Sequence, residues 1–167
     1  MLKIYQVTTQ EHIDFAKHLF LEYLEFLREE FDEYRELPWL IEYFEAFEKE
    51  IDGLPGDYSP PVGCILIVEY KTQPIGCVAL KGTNNNTCEM KRLYIKTQYH
   101  RRGIGTVLCK ALIEKAITMN YTHMRLATAL EVPKYLYKSL GFTEIPPFDH
   151  APVDGIMFME LKLRQIC

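Results

Sequence analysis

The stretch His100-Arg101-Arg102-Gly103-Ile104-Gly105-Thr106 most constrains this chain, because it joins an apolar run at 90–95 to an amphipathic segment that begins near Gly103. Two glycines in alternate positions let backbone pass close to a bulky anion without a Cβ in the way. The free N–H groups of a helix's first turn point at whatever lies there. The helix dipole adds partial positive charge at the same end, and Arg101 and Arg102 add full charges beside it. The segment therefore predicts a strand, a pyrophosphate cradle and a helix in succession. It is neither of the common phosphate loops: no Gly-Lys-Ser/Thr follows, and Leu108 stands where a dinucleotide fingerprint needs a third glycine. A solvated surface turn would use the same residues, so the flanking elements carry the argument.

Upstream, a short strand is expected at 3–7. Thr8 or Thr9 then caps a helix in which Ile13, Ala16, Leu19, Phe20, Tyr23 and Leu24 recur at helical spacing, reaching about Phe31. A second helix spans 37–51 with Pro38 in its first turn. Residues 53–63 hold three prolines and three glycines and read as an ordered loop or a lid. Apolar runs at 64–70 and 75–80, separated by Lys71-Thr72-Gln73-Pro74, predict a hairpin, and 88–95 a third strand. After the glycine loop come a helix to about Asn120, a strand at 123–129, a short helix at 131–140 closed by Gly141, and a terminal strand at 155–163.

With 48% hydrophobic residues in 167, the chain has material for a substantial core, and 1–167 is expected to form one domain. A net charge of −4 with no long basic run excludes a nucleic-acid footprint. Cys64, Cys77, Cys88, Cys109 and Cys167 stand singly among apolar neighbours, which predicts reduced buried thiols and no metal cluster. No stretch is long and apolar enough to span a bilayer, so a cytoplasmic protein without a membrane partner is expected. Dimerisation is left open.

The element order, Gly103-x-Gly105 at the first helix of the second half, and Tyr137-Lys138-Ser139-Leu140-Gly141-Phe142 closing the last helix together resemble the GNAT superfamily of acyl-CoA-dependent N-acyltransferases. The resemblance runs over nearly the whole chain. It implies a mixed α/β (α+β) fold whose central, mostly antiparallel twisted sheet has about six to seven strands and about four flanking helices. It also implies acetyl-CoA as co-substrate and a primary amine, on a small molecule or peptide, as acceptor. In that family the loop opens with Gln or Arg, where His100 stands here, and its amides bind the coenzyme pyrophosphate. The resemblance thus assigns His100, Arg101, Arg102, Gly103, Ile104, Gly105 and Thr106 to the coenzyme. Leu93, Tyr94 and Ile95 match the strand end whose backbone pairs with the pantetheine arm and offers an amide to the thioester oxygen. Leu130 replaces the Asn that commonly opens the last helix.

Acyl transfer to an amine needs a neutral amine, a donor for the developing oxyanion and an acid for the departing thiolate. Tyr137 matches the family's acid, a phenol that is protonated at neutral pH. Glu89 matches an acidic position that takes the amine's proton; a solvated strand residue, or a partner for Lys91 or Arg92, is the alternative. Tyr135, two residues from Tyr137, is expected to pack or to line the substrate side. The first two helices and the loop after them shape the family's acceptor pocket, which makes Glu29 and Tyr58 candidate acceptor contacts. A non-catalytic acyl-CoA sensor or a partner-binding domain is the competing reading.

Overall fold

A computed structural model of the chain describes residues 1–150 and 155–164; Cys167 lies outside the described residues. Strand β1 (Leu2–Gln6) leads to α1 (Gln10–Glu30), which starts where the Thr9 hydroxyl accepts from the His12 amide at 3.1 Å. Helix α2 (Pro38–Asp52) follows, with proline in its first turn as expected. Strands β2 (Cys64–Tyr70), β3 (Gln73–Gly82) and β4 (Thr87–Ile95) form an antiparallel meander. The first hairpin is tighter than the four-residue turn read from sequence. Only Lys71 and Thr72 lie between the strands, with φ of 49° and 66°, the left-handed pair that suits the strands' twist. Then come α3 (Ile104–Thr118), β5 (His123–Thr128), α4 (Glu131–Ser139), β6 (Thr143–Ile145) and β7 (Met157–Lys162).

The seven strands form one sheet in the order β1-β2-β3-β4-β5-β7-β6. All neighbours are antiparallel except β4 and β5, where the crossover through α3 makes the pair parallel. Alternation along the central strands feeds two cores. Ile65, Ile67, Cys77 and Ala79 pack under α1 and α2 with Phe20, Leu24, Phe44 and Phe47. Leu66, Val68, Val78 and Leu80 pack on the other face under α3 with Leu108, Leu112 and Ala116. Cys64, Cys77, Cys88 and Cys109 are free and buried within these cores.

The 53–63 segment is not a lid. Gly56–Tyr58 forms one 3-10 turn, and Tyr58 is 1% exposed, its ring edge-on to Phe20 at 6.2 Å. Burying an aromatic ring of this size anchors the loop to the core.

Candidate active site

The site begins with a defect in β4. Ala79 pairs with Lys91 and Cys77 with Tyr94, so three residue steps on β4 oppose two on β3. The extra residue is Arg92, at φ 61°, and its carbonyl accepts from the Cys77 thiol at 3.4 Å. Such a bulge bends the strand and resets which face each side chain takes. Lys91 and Arg92 both face α2, whereas Leu93 packs into the core beneath α3. The Arg92 guanidinium donates from Nε and Nη2 to the two Glu50 oxygens (2.7 and 3.1 Å) and from Nη1 to the Tyr43 hydroxyl (2.9 Å). It also lies 3.9 Å from the Phe47 ring centroid. A bidentate, stacked arginine with its side chain only 9% exposed ties the bulge to α2.

Beyond the bulge the sheet forks. Strands β4 and β5 pair only from Thr87 with His123 to Glu89 with Arg125. Past that point β4 stays with β3 as far as Ile95, and β5 stays with β7 to Thr128. The facing edges of residues 90–95 and 126–128 are therefore not paired to each other. A cleft of about 560 Å³ opens here, lined by Glu89 to Leu93, Leu126 to Leu130, Tyr23, Trp39, Tyr43 and Tyr137 among others. An uncovered strand edge offers backbone donors and acceptors to an extended ligand.

At the far end of the same strand, His100 Nε2 donates to the Ile95 carbonyl at 2.6 Å and fixes the start of the glycine loop. Arg101 adopts φ 63° and Gly103 φ 75°. The first helical bond of α3 runs from the Val107 amide to the Gly103 carbonyl. The amides of Ile104, Gly105 and Thr106 consequently have no acceptor within the helix, and no side chain caps them. A Cβ built on Gly103 meets no atom within 4 Å, so the space before this N-terminus is open. The Arg102 guanidinium lies 5.6 Å from the Tyr99 ring. These features suit the pyrophosphate of coenzyme A: uncapped amides, the positive end of a fifteen-residue helix and two arginines in one loop.

The two catalytic candidates flank the fork. Glu89 is the last residue of the β4–β5 pairing, is partly buried and lines the cleft; the bidentate partner of Arg92 is Glu50, so Glu89 is not used for that pairing. Tyr137 is 7% exposed on α4, stacks edge-on with Phe142 at 5.9 Å and lines the cleft. Burial is the main cause that holds its phenol well above the ordinary value, with the nearby Cys109 and Tyr23 adding to it. It stays protonated across the neutral range.

The remaining expectations divide. Leu93 lines the cleft, but the Tyr94 side chain points to the opposite core, its ring 5.6 Å from Tyr23, and Ile95 is buried, so only backbone is available from these two. Glu29 is exposed on α1 and takes no part in the cleft wall. Tyr58 belongs to the core and lines a separate cavity of about 210 Å³ with Pro55 and Pro60. Tyr135 is 72% exposed and neither packs nor lines the cleft. Sequence reasoning put the second helix at the acceptor pocket without singling out Trp39, Glu42 or Tyr43, missed Lys91 and Arg92 as cleft residues, and did not place Phe148, Asp149 or His150; all eight line the cleft. The aromatic spacing of α2 contained a signal for Tyr43. Nothing local announces the bulge that positions Lys91 and Arg92.

The chain is similar to known proteins in sequence and in fold. The model of the acetyltransferase (GNAT) family matches residues 24–142. A Schizosaccharomyces pombe protein described as an uncharacterized N-acetyltransferase is 32% identical over 127 residues, covering 73% of this chain and 77% of that protein. Human N-acetylaspartate synthetase is 30% identical over 101 residues, covering 59% of this chain and 33% of the synthetase. The crystal structure of the PaiA N-acetyltransferase from Thermoplasma acidophilum in complex with coenzyme A superposes with a TM-score of 0.72 at 18% identity, over 97% of this chain and 99% of that one.

Proposed function

This chain belongs to the acetyltransferase (GNAT) family and is an acetyl-CoA-dependent N-acetyltransferase, and from that premise we propose that it acetylates a primary amine of a small molecule or peptide by direct attack within a ternary complex. The observation that carries this reading is the fork: one cleft holds an uncovered β4 edge, a carboxylate at its apex and a buried phenol, and its strand leads through the glycine loop to the uncapped α3 helix.

When bound, acetyl-CoA supplies a thioester whose carbonyl carbon the amine attacks, forming an amide and releasing the thiol. The residues of this chain supply the rest. The amides of Ile104, Gly105 and Thr106, with Arg101 and Arg102, hold the pyrophosphate, and His100 fixes the loop that presents them. The strand edge at Leu93, Tyr94 and Ile95, unpaired on its β5 side, aligns the pantetheine arm, and an amide among them donates to the carbonyl oxygen as negative charge develops there. Glu89 accepts a proton from the incoming ammonium, directly or through water, which leaves the amine lone pair free to attack. Tyr137 donates its phenolic proton to the departing thiolate. The name of the human relative puts free amino acids among the acceptors to try first.

The test is thiol release by the full chain with acetyl-CoA and an amine varied together. Double-reciprocal lines that intersect are expected for a ternary complex. Parallel lines, with an acetylated protein detected by mass, would replace direct attack by a covalent route.

A further inference from the structure

Two cations stand side by side on the wall of the cleft, and their surroundings differ. Arg92 is well partnered: three of its nitrogens donate at 2.7 to 3.1 Å, and both oxygens of Glu50 accept from it. Lys91 lines the same cleft and is partly buried, and no hydrogen bond or ion pair to its ammonium is formed by the described residues. Burial and the adjacent Arg92 lower its pKa, while Glu89 and Glu50 raise it and Lys81 lowers it. A partly desolvated ammonium with no hydrogen-bond or ion-pair partner among the described residues is stabilised by any anion that can reach it, and here the open side is the cleft.

The chemistry of that anion follows from what surrounds it. Glu42, Glu89 and Asp149 also line the cleft, so an acceptor with excess negative charge would be repelled, and a simple cation would leave the Lys91 ammonium without a counter-charge. A zwitterion suits both sets. Glu89 and Lys91 are two residues apart in β4, about 6.6 Å along a strand. That separation lets the carboxylate of one side chain face an ammonium and the ammonium of the other face a carboxylate within one small molecule.

We propose that Lys91 binds a carboxylate of the acceptor, so that the preferred substrate is a free amino acid and not a plain amine. This rests on the acetyltransferase reading and adds the specificity-determining residue to it. No cation other than Lys91 and Arg92 is supplied to the α2 side of the cleft by β4, and Arg92 is already neutralised by Glu50.

The experiment measures kcat/KM by thiol release for free L-amino acids, each against its carboxamide, with both carboxylates amidated for aspartate and glutamate. The comparison is made with the full chain and with Lys91→Met and Lys91→Arg. For the unaltered chain, at least one amino acid is expected to exceed its amide by about tenfold or more. Lys91→Met should bring that ratio near one, and Lys91→Arg should keep most of it. A ratio near one in the unaltered chain, or one that survives Lys91→Met, overturns the assignment. Thiol release with plain amines alone also overturns it while leaving acetyl transfer intact, whereas absence of acetyl-CoA binding would remove both.

Discussion

Glu89 and Tyr137, as proposed, make opposite proton transfers, and each can be separated from binding. Tyr137→Phe keeps the ring and its contact with Phe142 but removes the proton. It should lower kcat by about 100-fold, within the range for general acids, and leave the acetyl-CoA KM within about twofold. Because burial raises the Tyr137 pKa well above its ordinary value, the phenol keeps its proton as pH climbs through neutrality and beyond. No alkaline limb below about pH 10 should therefore come from this group. Glu89→Gln should lower kcat/KM by about tenfold or more at neutral pH, with recovery as pH rises and the acceptor amine loses its proton unaided. A pH–rate profile of both variants reads these outcomes, and a Glu89→Gln profile parallel to that of the unaltered chain would make this carboxylate structural.

At the scale of elements, the glycine loop and the bulge divide the work: one presents donors, the other aims side chains. Gly103 at φ 75° is a position that a β-branched residue occupies only with strain, about 1–2 kcal/mol. Gly103→Val should therefore lower the melting temperature modestly and weaken acetyl-CoA binding by more than tenfold, both measurable by calorimetry. The loop was legible in the sequence because glycine spacing and charge report backbone chemistry directly. The bulge was not. Reading β4 as a plain alternation puts Glu89, Lys91 and Leu93 on one face, and the inserted Arg92 moves Leu93 to the other. An inserted residue of this kind is set by pairing with β3 and by the Glu50 contact from α2, two partners distant in sequence. Strand β6 escaped for a related reason: Thr143 and Glu144 are exposed, and the segment is a strand only by pairing to β7.

For the molecule as a whole, the two cores explain both the legible and the hidden parts of the fold. Helices and hairpins follow from periodicity and turn residues, and every α-helix read from sequence is present. Exposure of Glu29 and Tyr135 depends on which helix face meets the sheet, and burial of Tyr58 on how its loop docks against Phe20, neither of which a segment read alone contains. The buried thiols give the fold an alkaline limit. Burial pushes Cys64 up to about 11 and Cys109 to about 12, from an ordinary 9.0. Folded-state values that are raised mean that the unfolded chain releases these protons first as pH passes about 9. Stability contributed by the neutral thiols is full below that pH and is lost between it and the folded values, by at most about 1.4 kcal/mol per pH unit for each thiol. Thermal unfolding scans should show a steady fall in Tm from pH 9 to 11. If the glycine loop and the forked sheet together hold acetyl-CoA for transfer to an amine, calorimetric titration of the full chain with acetyl-CoA should show saturable binding, and thiol should then be released on the same sample when free amino acids are added. Absence of any acetyl-CoA binding would overturn that role for the loop and the fork.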